Sequence, residues 1–226
     1  MIYYNNILKI SLAERIKRGG DSSPNKNSNI GFMSALKVVV AGPKGTGKST
    51  ISDFLANQTQ ELGGVYSEPT SGVRILEFEL GGSRSVNIGI IIKKSLLKSL
   101  LSFSPSISLI SLLELWDSSG DNSFESCWKA IMADADAVVL VYNPDAPSHD
   151  QQLADWFEYF VKKNGLKDEQ CMIFAHRGTG NTSDKFKPHP LFNRVTAALT
   201  TNASGKDIKE MFENFIRDVH NIKSRK

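Results

Sequence analysis

The stretch Gly42-Pro43-Lys44-Gly45-Thr46-Gly47-Lys48-Ser49 constrains this 226-residue chain more than any other. Two glycines separated by four residues, then Lys and Ser, form the phosphate-binding pattern. An apolar run, Leu36 to Ala41, leads in, and Thr50-Ile51-Ser52-Asp53-Phe54-Leu55 leads out with helical character. In a strand–loop–helix setting the glycines let backbone N–H groups converge as an anion nest. The helix N-terminus adds the positive end of its dipole to the same spot. Lys48 is then expected to reach the β- and γ-phosphates of a nucleoside triphosphate, and the Ser49 hydroxyl to ligate Mg²⁺. Gly42, Lys44, Gly45, Thr46, Gly47 and Thr50 complete the expected nucleotide contacts of this loop. A glycine-rich turn that merely joins a strand to a helix is the competing reading, and the flanks weigh against it.

The formal charge of +3 is uneven along the chain. Residues 1–32 carry Lys9, Arg15, Lys17, Arg18 and Lys26 against Glu14 and Asp21. Residues 81–110 carry Arg84, Lys93, Lys94 and Lys98 with no acid. The rest is mildly acidic, so a folded basic face for nucleic acid is not expected. Cys127 and Cys171 each sit in an apolar stretch read as buried helix or strand, which suits a reducing compartment without a disulfide framework. No signal segment, prenylation cysteine or myristoylatable glycine is present, so a cytoplasmic protein without a lipid anchor is expected.

Residues 1–33 read as a disordered extension, with a start at Met33 as an alternative. After the phosphate loop, Val73 to Leu80 alternates apolar and charged residues as a half-buried strand. Residues 81–110 are too long for the connection of a simple hairpin. They read either as a partner-binding insertion with a helix over Lys93–Phe103 or as a gene-structure artefact. Leu112–Trp116 is the next strand, Phe124–Ala133 a helix, and Ala135–Tyr142 a fully buried strand. Ser148–Lys163 carries Leu153, Trp156, Phe157 and Phe160 at helical spacing, a stripe read as core. Cys171–Ala175 is a further buried strand, Leu191–Leu199 holds a last one, and Asp207–Ile222 is a closing amphipathic helix. Strands alternating with helices after a phosphate loop predict a doubly wound, mostly parallel α/β sheet over residues 34–222, with a basic tail at 223–226. Its ligand belongs beyond the carboxyl ends of the strands.

Asp117-Ser118-Ser119-Gly120 falls at such a strand end. The Asp117 carboxylate can hold Mg²⁺, and the N–H of Gly120 can approach the γ-phosphate because no Cβ intervenes. The Thr70 hydroxyl is the expected second sensor of the metal and γ-phosphate, so Ser49, Thr70 and Asp117 are the candidate metal residues. The order phosphate loop, Pro69-Thr70, strand, Trp116-Asp117-x-x-Gly120 resembles the Ras- and Rab-like small GTPases. Ser67 to Glu79, and Glu114 to Asp121 running on through Phe124-Glu125-Ser126-Cys127-Trp128, are similar to one branch, the Rab-like subunit of intraflagellar transport complex B. The resemblance covers about residues 35–80 and 112–222. It implies a P-loop, small-GTPase-like fold, GTP/GDP and Mg²⁺ as ligands, and a place in the cilium or flagellum and its base. It also implies docking on other complex B subunits, a coiled-coil pair among them, through the loops around Thr70 and Asp121.

Departures from that pattern bear on chemistry. Small GTPases usually have Gln after the Asp-x-x-Gly glycine to orient water, and here that residue is Asp121. Lys44 stands where a small Gly is usual, so slow or absent hydrolysis is expected. The guanine-reading Asn-Lys-x-Asp becomes His176-Arg177-Gly178-Thr179. The Arg177 stem can lie over a base, His176 is either a nucleotide neighbour or a plain polar residue, and Thr179 lacks the carboxylate that guanine pairs with. Asp184 is a candidate substitute, and Thr201-Asn202-Ala203 a partial version of the loop that backs the base. Two other readings stay open: a P-loop ATPase or kinase, and a pseudo-GTPase that serves only as an interaction module.

Overall fold

The computed structural model describes residues 35–63, 68–80, 111–179 and 190–225. All of them lie in the compact unit Met33–Lys226. The expected N-terminal extension, the 81–110 segment with its helix, and Asp184 lie outside the described residues.

Six strands form one sheet in the order β2-β3-β1-β4-β5-β6. They are β1 (Leu36–Ala41), β2 (Val73–Leu80), β3 (Ser111–Ser118), β4 (Ala137–Tyr142), β5 (Cys171–His176) and β6 (Thr196–Thr200). Only β2 and β3 pair antiparallel; the other neighbours run parallel. The interior strands Leu-Lys-Val-Val-Val-Ala, Ala-Val-Val-Leu-Val-Tyr and Cys-Met-Ile-Phe-Ala-His are covered on both faces and so need almost continuous apolar sequence. The edge strand β2 keeps alternation, with Leu76, Phe78 and Leu80 turned to the core and Glu77 and Glu79 exposed.

Four helices cover the sheet: α1 (Lys48–Leu55), α2 (Glu125–Met132), α3 (His149–Phe160) and α4 (Gly205–Lys223). Val38 and Val40 of β1 join Ile51 and Phe54 of α1 and Phe212 and Ile216 of α4 in one core. Val39 and Ala41 point the other way, to Trp128 of α2 and Phe157 and Phe160 of α3. The two-residue period of the strand thus sorts successive residues into two cores, giving three layers. The stripe Leu153, Trp156, Phe157 and Phe160 is buried, as its spacing predicts. Trp128 inserts into it, with its ring centroid 4.7 Å from Trp156 and 5.1 Å from Phe160. Ile208, Phe212, Phe215, Ile216 and Val219 give α4 a matching buried stripe on the opposite side of the sheet.

Three local expectations change. Cys127 is exposed, because the short helix α2 buries Trp128, Ile131 and Met132 and turns Cys127 to water. Strand β3 does not stop at Trp116 but runs through Ser118, with Asp117 opposite both Val40 and Arg74. Lys223 belongs to α4 rather than to a tail: its ammonium donates to Asp136 Oδ2 at 2.7 Å, close to the last turn's negative dipole end.

Phe160 is fully buried at the meeting point of α2, α3 and the sheet. Phe160→Ala should destabilise the fold by about 3–5 kcal/mol. The readout is the urea midpoint followed by tryptophan fluorescence, since Trp128 and Trp156 flank the new cavity.

Candidate functional site

A cavity of about 700 Å³ opens beyond the carboxyl ends of the parallel strands, walled by the loop Lys44–Thr50, by Glu68–Ser71, by Ser118–Asp121 and by His176–Gly178. This is where a doubly wound sheet places its ligand. The phosphate loop is held in shape by its missing Cβ atoms. At Gly42, φ is +138° and a Cβ would stand 2.1 Å from the Val141 carbonyl oxygen. Gly47 opens α1 in the left-handed region, with φ +86°, and a Cβ there would meet the His176 ring at 2.7 Å. Inside the loop, the Thr46 hydroxyl and the Lys48 ammonium both donate to the Pro43 carbonyl, at 3.0 and 2.7 Å. Burial lowers the Lys48 pKa to about 8, against the pull of Asp117. Lys44, Gly45, Thr46, Gly47, Lys48, Ser49 and Thr50 all line the cavity, while Gly42 shapes the loop from below.

Gly120 has a second reason to be glycine beside the one its motif suggests. A Cβ there would come within 2.5 Å of the Gly42 carbonyl and 2.6 Å of the Lys44 nitrogen, so the segment after β3 lies directly on the phosphate loop. Next to it, Asp121 pairs with Lys44 at 3.2 Å and caps the Ser123 N–H at 3.0 Å. Those hydrogen bonds, the Ser123 backbone first, hold the Asp121 carboxyl down at about 2.

The three candidate metal residues meet. Ser49 Oγ and Thr70 Oγ1 are 2.7 Å apart, and the Thr70 hydroxyl donates to Asp117 Oδ2 at 3.3 Å. Asp117 is completely buried, and its Oδ1 has no hydrogen-bond partner. A buried carboxylate with one oxygen bare and the other bonded to the Thr70 hydroxyl, itself paired with Ser49, fits a hard cation that takes oxygen ligands and keeps its own waters. Among the described residues, no group of three His, Cys, Asp or Glu side chains offers a metal site elsewhere.

His176 is neither at the surface nor in a loop. It ends β5, is 4% exposed, packs against Gly47, and shares a hydrogen bond between Nδ1 and Thr200 Oγ1 at 3.2 Å. The Arg177 guanidinium pairs with Asp145 at 3.0 Å, leaving its stem along the cavity wall. Thr179 is exposed and not part of the lining, whereas Asn202 is. The Asn202 N–H donates to the Gly178 carbonyl at 2.8 Å, and its carboxamide lies against Gly63 and hydrogen-bonds with His176. Sequence reasoning missed Arg74 altogether, although Arg74 falls on the core-facing parity of β2, where a charge demands a partner.

Curated intraflagellar transport protein 22 homologues from Danio rerio and Homo sapiens are 33% and 39% identical over 194 and 153 residues. These matches cover 83% and 68% of this chain and 91% and 71% of the relatives. The chain belongs to the intraflagellar transport protein 22 family. No family model matches it. Its fold is that of the T. brucei IFT22 structures, whose identity to this chain is 22–23%. The GTP-bound IFT22/74/81 complex superposes with a TM-score of 0.58 over 85% of this chain and 97% of that one. The GDP-bound IFT22 structure superposes with a TM-score of 0.56 over 85% and 99%. The small-GTPase-like architecture that the resemblance implies is therefore the observed one.

His176 supplies a pH test of the packing under the loop. Burial lowers its pKa, with the Asn202 hydrogen bond acting the other way, so the folded chain holds it neutral. An unfolded chain binds that proton once pH falls below about 6.5, and the folded state then loses relative stability. The melting temperature of the wild type should drop more steeply from pH 7.5 to 5.5 than that of His176→Gln; equal slopes would contradict this account.

Proposed function

We propose that this chain is the GTP-binding, Rab-like subunit of an intraflagellar transport complex B, working as a slow or non-hydrolysing switch in cilium or flagellum assembly. The observation that carries the reading is the convergence of Lys48, Ser49 and Thr70 on one cavity at the start of α1, with Asp117 buried behind them and hydrogen-bonded to Thr70. In this reading the loop amides and Lys48 cradle the β- and γ-phosphates, and Lys48 exchanges the Pro43 carbonyl for phosphate oxygen. Ser49, Thr70 and Asp117 would hold Mg²⁺, which supplies charge neutralisation for the phosphates. Gly42, Gly45 and Gly47 keep the nest open, while Thr46 and Thr50 border it. Lys44 and the Gly120 segment cover the γ-phosphate side. The Arg177 stem, with His176 beneath and Asn202 beside it, walls the base.

Slow hydrolysis follows from Asp121. A carboxylate that stays ionised at every physiological pH has no N–H to present to an attacking water, and here it is turned to Lys44 and Ser123. The partner surface in this reading is the pair of loops around Thr70 and Asp121, which both border the cavity and so change with its contents. Other complex B subunits, a coiled-coil pair among them, are the proposed partners. The proposed site of action is the cytoplasm, the ciliary base and the cilium.

Titration with fluorescent GTP, GDP and ATP in Mg²⁺ tests the reading. GTP and GDP should bind and ATP should bind at least about tenfold more weakly, a difference of about 1.4 kcal/mol. Lys48→Ala should lose most of the affinity. ATP preference would favour a P-loop ATPase, and no binding at all would favour a pseudo-GTPase. Single-turnover GTP cleavage should fall below about 10⁻⁴ s⁻¹, and faster cleavage lost in Asp121→Ala would refute the slow switch.

A further inference from the structure

Arg74 lies on β2 at the same parity as Leu76, Phe78 and Leu80, which pack on the core, and directly opposite Asp117 of β3. Its Nε and Nη2 reach Asp117 Oδ2 at 3.1 and 3.0 Å, and Nη2 also reaches Asp53 Oδ1 of α1 at 2.9 Å. One guanidinium therefore joins three elements: the edge strand, the strand that carries the candidate metal carboxylate, and the helix that begins at the phosphate loop. An arginine serving only as a counter-ion usually takes a carboxylate side-on, with two parallel bonds that satisfy both oxygens. Here both donors converge on Oδ2, and Oδ1 is left buried without a protein partner. Asp53 holds the far end of the fork, which fixes the angle at which the near end meets Asp117.

We infer that Arg74, braced by Asp53, is a positioning residue that presents the Asp117 carboxylate to the metal of the nucleotide complex. This rests on the Mg²⁺-nucleotide reading above. Arg74 acts on Asp117 without touching ligand. It sets the orientation of the carboxylate through the two bonds to Oδ2. It also ties metal occupancy to β2, since Thr70 is four residues upstream and the Gly72 carbonyl accepts from Ser119 N at 2.8 Å.

The test compares wild type, Arg74→Gln, Arg74→Lys and Asp53→Asn in the full chain, measuring the affinity for fluorescent GTP in Mg²⁺ and in EDTA. The quantity read is the ratio of the two affinities, with the Mg²⁺ concentration for half-effect. Arg74→Gln should lower the ratio about tenfold or more, the usual scale for losing a group that orients a metal ligand. Arg74→Lys, which keeps charge but not the fork, should restore part of it, and Asp53→Asn should lower it less than Arg74→Gln. An unchanged ratio, with both affinities falling together, would mean that Arg74 is structural only. A raised ratio would mean that it competes with the metal; either result overturns the inference. If Arg74→Gln shows no cooperative melt, Asp53→Asn and Arg74→Lys are read by the same criterion. A wild type that binds GTP indifferently to Mg²⁺ overturns the metal reading and this inference together, whereas a Mg²⁺-dependent wild type matched by its variants overturns the inference alone.

Discussion

A backbone that must expose its amides inward can exist only where the atoms around it leave room, and the phosphate loop meets that demand from three sides. The Val141 carbonyl of β4 lies under Gly42, the His176 ring of β5 under Gly47, and Gly120 after β3 sits on the backbone of Gly42 and Lys44. Each neighbour comes from a strand that flanks or nearly flanks β1, so the loop is shaped by the sheet and not by its own sequence alone. A methyl group at any of the three glycines would force backbone or a buried ring to move. The two cores on either side of the sheet hold those strands in register and so fix the loop indirectly.

Much of this was legible in the sequence. The continuous apolar runs of β1, β4 and β5 announce strands buried on both faces, and the spacing of Leu153, Trp156, Phe157 and Phe160 announces a buried helix face. Residues that short-range pattern singles out, such as Lys48 and Ser49, do line the cavity. What pattern could not give was the set of contacts across strands. The steric role of Gly120 depends on where the phosphate loop lies, and the burial of His176 depends on β6 supplying Thr200. Arg74 was the one residue with a local signal that went unused, a charge on the inward parity of an alternating strand. The exposure of Cys127 shows the converse: an apolar neighbourhood in sequence does not fix which side of a short helix is covered.

Membership of the intraflagellar transport protein 22 family and the small-GTPase-like fold account for the phosphate loop but not for the polar network beside it. Lys44 facing Asp121 puts a charged pair where a mobile amide and a small residue would otherwise leave space for water. The buried Asp117 is stabilised by hydroxyls and a guanidinium at once. Both features are in keeping with the slow switch proposed above.

The strand order carries one more consequence. The central strand β1 is made first, yet its two neighbours, β3 and β4, begin only at residues 111 and 137. During synthesis β1 therefore emerges with neither partner, an apolar segment whose backbone groups stay unpaired until most of the chain exists. Pairings so distant in sequence close slowly. The phosphate loop cannot take its shape before they close, because Val141, His176 and Gly120 all lie downstream of it. A nucleotide can thus meet only a nearly finished sheet.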